Sequence, residues 1–199
     1  MNTIKAIETN YNGYRFRSRI EARWAVFFDE LGIVYDYEPE GFALDSGYYL
    51  PDFWLPDIGR GTWFEGKGTR PHEIGFRMLR ELAEPQGHDW AMAVGSIEPF
   101  HGRGPWAIES NDDGPYSFCS CPWCGKIGIE YEGRGARVCG WDAHFLEYQD
   151  ALAAVIPLGH WRADDKCYTY DDPRIVSAIK AARSARFEYG SDGRCRDAS

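Results

Sequence analysis

No stretch of this 199-residue chain approaches the roughly 18 consecutive apolar residues that a membrane-crossing helix needs. The opening MNTIKAIETNYNGYRFRSR also lacks the apolar core of a signal peptide. These two absences argue against a membrane partner and lead us to expect a soluble, cytoplasmic protein. Lysines are few and positive charge is in deficit. The formal net charge of −9 is not the footprint of a general nucleic-acid coat. Cysteine is missing from the first half altogether, and all six lie between Cys119 and Cys195. There is no internal repeat and no low-complexity tract. The chain does have apolar and aromatic residues, at 44% and 16%. That is enough to bury a core without disulfides and too much for intrinsic disorder.

The scarce positive charge is clustered, at Arg15, Arg17, Arg19 and Arg23, at Arg70, Arg77 and Arg80, and at Arg183 and Arg186. An acidic protein can still hold a polyanion on one concave basic face, above all when some of its carboxylates hold metal ions.

Residues 1–98 read as one α/β (α+β) unit. Ser18 caps a helix over 18–31, with Glu21 at capping-box spacing, and Gly32 stops it. Ile20, Trp24, Phe27, Phe28 and Leu31 recur along it at helical spacing. Strands are expected at 33–38 (IVYDYE), 48–55 (YYLPDFWL) and 62–68 (TWFEGKG), separated by turns of hairpin length. A second helix is expected from Pro71 to about Glu84, burying Ile74, Met78 and Leu82, before a buried strand at 89–96. Residues 99–117, rich in Gly, Pro, Asp and Asn, read as a linker. Residues 118–144 hold most of the cysteines. Residues 145–199 read as helical over 145–157 and 173–188, ending in a frayed tail.

Chemistry is suggested by Pro51-Asp52 in one strand and Glu65-Gly66-Lys67 in the next. Side chains alternate across a strand, so Glu65 and Lys67 share one face while Phe64 and Gly66 take the other. If the two strands pair as a hairpin, Asp52 comes alongside Glu65, and two carboxylates meet one ammonium. That trio suits metal-assisted phosphodiester hydrolysis, because Mg²⁺ takes oxygen ligands from one or two carboxylates plus phosphate and water. Lys67 would orient or deprotonate the attacking water, or stabilise transition-state charge. Glu21 borders the buried stripe of the first helix, where a carboxylate is costly unless cations or donors meet it. Packing of that helix on the sheet would bring it towards Asp52 and Glu65. Taken singly, Asp52 reads as a turn cap and Glu65 with Lys67 as a solvated pair worth roughly 0.2–1 kcal/mol. The joint pattern is what marks a site.

The ordered set Glu21, Pro51-Asp52 and Glu65-Gly66-Lys67 on helix–strand–strand–strand–helix–strand resembles the PD-(D/E)XK nuclease superfamily. YRFRSRIEARWAVFFDELGIVYDYEPEGF, YLPDFWLP and FEGKG are particularly similar to TnsA-like and phage-encoded members, over about the first half of the chain. The resemblance implies a restriction-endonuclease-like αβββαβ core. It also implies Mg²⁺ (or Mn²⁺) on Asp52, Glu65 and the Gly66 carbonyl, a supporting Glu21 and a catalytic Lys67. Arg77 on the following helix is a weaker candidate to assist. No known target-reading segment of the mismatch or restriction enzymes is evident.

FCSCPWCGKIGIEYEGRGARVCGWDAH contains CPWCG, the turn of a zinc knuckle, which lets the Cys121 and Cys124 thiolates converge on one tetrahedral ion. The chain then turns at Gly133-Arg134-Gly135 and returns to Cys139. This resembles half of a zinc ribbon whose second knuckle has lost a cysteine, with Asp at 142. Cys119 or His144 supplies the fourth ligand, Cys119 being preferred. A site closed by four ligands is structural. Some RecB-like members of the superfamily carry an iron–sulfur cluster, but with a cysteine ahead of the core that is missing here, so zinc is preferred. Buried thiols with no metal are the plain alternative.

The leading expectation is therefore a Mg²⁺-dependent DNA endonuclease, a hydrolase, with a structural Zn²⁺ module. Arg134, Arg137 and the late arginine helix would contact DNA or form a homodimer. The alternative is a catalytically silent DNA-binding or partner-recruiting protein on the same scaffold, such as a phage adaptor or inhibitor acting in the host cytosol.

Overall fold

The computed structural model describes residues 6–97, 116–121, 124–131 and 171–187. Strands β1 (Thr9–Tyr11) and β2 (Tyr14–Phe16) form an antiparallel hairpin ahead of the first helix. Its turn, Asn12-Gly13, holds both residues at positive φ (47° and 84°), the backbone a two-residue hairpin turn demands. Helix α1 (Arg19–Leu31) starts where the Ser18 hydroxyl accepts from the Glu21 N–H and ends at left-handed Gly32. Both ends fall where the capping pattern put them.

Strands β3 (Asp36–Tyr37), β4 (Phe42–Leu44), β5 (Gly47–Tyr49), β6 (Phe53–Leu55) and β7 (Thr62–Lys67) follow. Helix α2 (Glu73–Ala83), a 3₁₀ turn (Glu84–Gln86) and β8 (Asp89–Val94) come next. Strands β9 (Tyr116–Ser120) and β10 (Ile127–Tyr131) pair antiparallel, and α3 (Pro173–Ser184) is the last element described. The fold is mixed α+β, with several small sheets and three helices among the described residues.

The largest sheet has the order β3-β6-β7-β8, antiparallel except for β7–β8, a parallel pair joined through α2. Alternation along β7 sets the layers. Phe64 packs on Trp24 and Phe28 of α1, with ring centroids 4.8 and 5.3 Å apart. Trp63 points the other way and joins Leu79 and Leu82 of α2 with Trp90 and Met92 of β8. The two helices therefore cover opposite faces of the sheet. Helix α3 packs against α1, and Phe118 of β9 lies 4.8 Å from Phe27, so the C-terminal segments share the α1 core.

Three expectations need correction. The run 33–38 is strand only at Asp36–Tyr37. The run 48–55 is two strands in two sheets: β5 pairs with β4, β6 with β3 and β7, and residues 50–52 break between them. Pro51 has no N–H to give a ladder, and the Asp52 N–H goes to a side chain instead. Helix α2 is rotated from the expected stripe: Leu79, Leu82 and Ala83 are buried, Met78 is half-buried and Ile74 is exposed. The segment 145–157, the tail, and residues 99–115 of the expected linker lie outside the described residues, while Tyr116 and Ser117, expected as the end of that linker, open β9. Among the described residues, no helix is long and apolar enough to cross a membrane.

Candidate active site

Strands β6 and β7 pair with Phe53 opposite Phe64, so one step further along the ladder Asp52 stands opposite Glu65. At this step carboxylates replace the backbone rungs. The Asp52 N–H donates to Glu65 Oε1 (3.2 Å), and the Gly66 N–H donates to Asp52 Oδ2 (3.0 Å). The alternation read from the sequence holds, since Glu65 and Lys67 share a face. Lys67 Nζ donates to Asp52 Oδ2 at 2.8 Å and pairs with Glu65 Oε2 as well. Gly66 faces the other way, and a Cβ there would lie 2.5 Å from Cδ1 of Trp24. Only glycine lets β7 and α1 approach this closely.

Glu65 Oε1 takes a second donor, and the one remaining oxygen, Asp52 Oδ1, is also met. Tyr49 Oη donates to Glu65 Oε1 (2.5 Å), and Arg17 Nη2 donates to Asp52 Oδ1 (2.9 Å). Arg17 pairs with Glu38 too. Asp52 is 0% exposed and Glu65 1%, so two carboxylates have been taken out of water side by side. Burial first, and then the neighbouring charge of Glu65, push Asp52 up to about 7, against the opposing pull of Lys67. Burial alone would lower Lys67, but Asp52 and Glu65 outweigh it and hold the ammonium charged. Burial and the Glu65 charge likewise raise Tyr49, which stays a donor.

Glu21 is buried as expected, at 6% exposure, but it is bonded elsewhere. Ser18 Oγ (2.7 Å), Tyr37 Oη (2.6 Å) and the Arg17 N–H (3.0 Å) all donate to its carboxylate. Its link to Asp52 runs through Arg17 rather than by direct approach. The structure thus brings Asp52, Glu65 and Lys67 together and sets Glu21 one residue layer away, holding the loop that carries Arg17. Among the described residues, no three Cys, His, Asp or Glu side chains converge as a metal-holding group. Arg77 is exposed on α2 and is not among the groups bonded to the carboxylates.

No family model, curated protein or solved structure matches this chain.

The donor set fits a hard divalent cation. Two buried carboxylates converge, and in an extended strand the carbonyl of Gly66 faces the same edge as its N–H, towards Asp52. An ammonium already sits where positive charge is called for.

In the cysteine region, Cys119 and Cys121 are buried two residues apart, while Cys124 is exposed. The knuckle loop closes through Gly125 N–H to Cys121 O (2.9 Å) and Cys121 N–H to Lys126 O (2.8 Å). Burial first, then the charges of Glu130 and Cys121, raise the Cys119 thiol, whose sulfur lies 3.9 Å from the Gly128 carbonyl. Cys139, His144, Arg134 and Arg137 lie outside the described residues.

Sequence reasoning missed Tyr49 and Tyr37 and left the role of Arg17 open. Tyr49 sits three positions before Asp52 in a run read as one strand, and the break at Pro51 is the signal that would have turned it inward.

Proposed function

We propose that this protein is a metal-dependent deoxyribonuclease of endonuclease type, with a restriction-endonuclease-like core. One observation carries the reading: Asp52 and Glu65 are buried against each other and share the Lys67 ammonium. Isolated carboxylates this deep are costly, and such perturbed groups concentrate at functional sites. Asp52, Glu65 and the Gly66 carbonyl would hold Mg²⁺ or Mn²⁺, which when bound polarises a phosphoryl oxygen and activates water. Asp52 and Glu65 favour the charged form of Lys67, which would supply positive charge to the transition state. Tyr49 fixes the Glu65 carboxylate, and half-exposed Arg17, anchored on Asp52 and Glu38, is within reach of a backbone phosphate. Glu21 is a positioning residue that fixes the Arg17 backbone.

The test is nicking of supercoiled DNA across Mg²⁺ and Mn²⁺. Glu65→Ala and Lys67→Ala are each expected to remove cleavage while the protein stays folded, and full activity in either ends the proposal. One observation favours a second reading, a silent DNA-binding or partner-recruiting protein: all four carboxylate oxygens are already satisfied within the chain. DNA binding with no cleavage under either ion would select it.

The buried thiol pair and knuckle loop support a structural zinc on Cys119, Cys121 and Cys124, with Cys139. Elemental analysis is expected to give one zinc per chain. Iron in its place, or no metal, removes this part.

A further inference from the structure

The four carboxylate oxygens of Asp52 and Glu65 are not held alike. Asp52 Oδ2 takes the Gly66 N–H and Lys67 Nζ, and Glu65 Oε1 takes the Asp52 N–H and Tyr49 Oη. Glu65 Oε2 pairs with Lys67. Among the described residues, Asp52 Oδ1 has a single donor, Arg17 Nη2 at 2.9 Å. That donor sits on a side chain 49% exposed, although the carboxylate it meets is wholly buried. The two ends of Arg17 are fixed differently. Its N–H is shared between Glu21 Oε2 (3.0 Å) and Tyr37 Oη (2.9 Å), which pins the backbone beside the site. Its guanidinium bridges Asp52 and Glu38. Glu38 is a non-glycine residue at φ 45°, in the left-handed region, and its N–H donates to the Asp52 carbonyl (2.9 Å). Backbone strain of this kind persists only where the surroundings impose it. Here it sets the Glu38 carboxylate next to Asp52, as a second seat for the same cation. Ala6, Ile7, Glu8 and Arg17 line an open pocket of about 640 Å³, which gives the guanidinium room to turn.

We infer that Arg17 guards the metal seat: in the metal-free protein its guanidinium stands in for the divalent ion at Asp52 Oδ1, and it withdraws to Glu38 when that ion is bound. The inference rests on the proposed Mg²⁺ or Mn²⁺ site. A hard cation needs carboxylate lone pairs, and Oδ1 is the oxygen whose donor can leave without disturbing a strand. The Gly66 N–H is part of the β7 backbone, and Lys67 holds both carboxylates at once. Glu38 keeps the guanidinium paired after it leaves Asp52, so no charge is stranded. An entering ion therefore displaces an internal cation. Its apparent affinity is lowered by the fraction of molecules in which Arg17 still holds Oδ1. Full satisfaction of the carboxylates is then the closed state of the seat.

The experiment is a Mn²⁺ titration of the full chain without DNA, at about 0.15 M salt, with free ion read by electron paramagnetic resonance. Glu65→Ala identifies the site by removing its Mn²⁺. Arg17→Gln is expected to tighten Mn²⁺ binding about tenfold or more, the lower end of what a hydrogen bond to a charged group is worth. Arg15→Gln makes the same charge change two residues away, on an exposed pair with Glu8, and moves the affinity far less. Glu38→Gln weakens Mn²⁺ binding when Arg17 is present and has no effect in the Arg17→Gln background. Equal tightening by Arg15→Gln and Arg17→Gln overturns the guard, and so does a Glu38 effect that survives the loss of Arg17. Wild-type protein gives a second readout, by side-chain nitrogen NMR, that needs no variant to fold. Mg²⁺ should move the Arg17 guanidinium signal and leave that of Arg60, which is paired with Asp89, in place. An Arg17 signal unmoved at saturating Mg²⁺ removes the guard. A Glu65-dependent Mn²⁺ site of equal affinity in wild type and Arg17→Gln keeps the metal reading and removes the guard alone. No Glu65-dependent Mn²⁺ in either protein removes both.

Discussion

Among the described residues, Tyr49 supplies the only side-chain hydroxyl on Glu65, and its hydrogen bond ends on a carboxylate inside the protein. Removing the hydroxyl leaves Oε1 with the Asp52 N–H alone. Tyr49→Phe is therefore expected to cost about 1.5–3 kcal/mol of stability, the range for hydrogen bonds to charged groups, read by urea unfolding. Asp52 makes a pH prediction. Its folded pKa, pushed up to about 7, lies above the ordinary carboxyl value, so between those limits the folded state holds more protons than the unfolded one. The Asp52 contribution to metal-free stability is then greatest at acid pH and declines as pH rises to about 7. In chelator, Asp52→Asn should gain on wild type over that window and stay level above it. Parallel melting temperatures of the two proteins from pH 4 to 8 would refute the burial argument.

At the scale of elements, the site is made by an interruption. A continuous strand over 48–55 would have paired its N–H groups with backbone, and Asp52 would have been one more ladder residue. Pro51 breaks the run, and the two carboxylates complete the ladder in place of carbonyls. The close packing of α1 on β7 depends on Gly66. The Trp24 ring that blocks a side chain there is itself held by Phe27, Phe28 and Phe64. Gly66→Ala should cost about 1–3 kcal/mol as overpacking, measured by denaturant unfolding, and a neutral result would mean that α1 can shift. The first hairpin is legible locally: YNGY carries Asn-Gly between aromatic residues, the strongest short hairpin signal. The rotation of α2 was not legible. Its pattern admits two neighbouring stripes, and the aromatic face of Trp63 and Trp90 selects the one through Leu79 and Ala83.

For the whole molecule, the paired carboxylates make the metal-free protein less stable than it could be, and a cation should relieve this. On the proposed metal reading, Mg²⁺ at about 100 times its Kd would add roughly 2.7 kcal/mol, which for a chain of this size is about 5–10 °C in Tm. The shift should vanish in Glu65→Ala, and a shift of equal size there would place the ion elsewhere. The C-terminal segments contribute to the same body. Phe118, Ile127, Ile175 and Ile179 are buried in the cluster that contains Trp24, Phe27 and Phe28. Asp172, which caps α3 and pairs with Arg174, links that helix to the loop after Cys124 through the Arg174 bond to Gly125 O.

By itself the sequence determined both ends of α1, the alternation that puts Glu65 and Lys67 on one face of β7, and the pairing of Asp52 with them. Each depends on periodicity or capping within a few residues. Only the tertiary structure decided that Tyr49 and Arg17 complete the carboxylate shell and that Glu21 turns to Tyr37 and Ser18. Those partners meet across separations such as 16 and 35 residues. Where distant segments cross is set by which apolar faces bury together, and no local pattern carries that information.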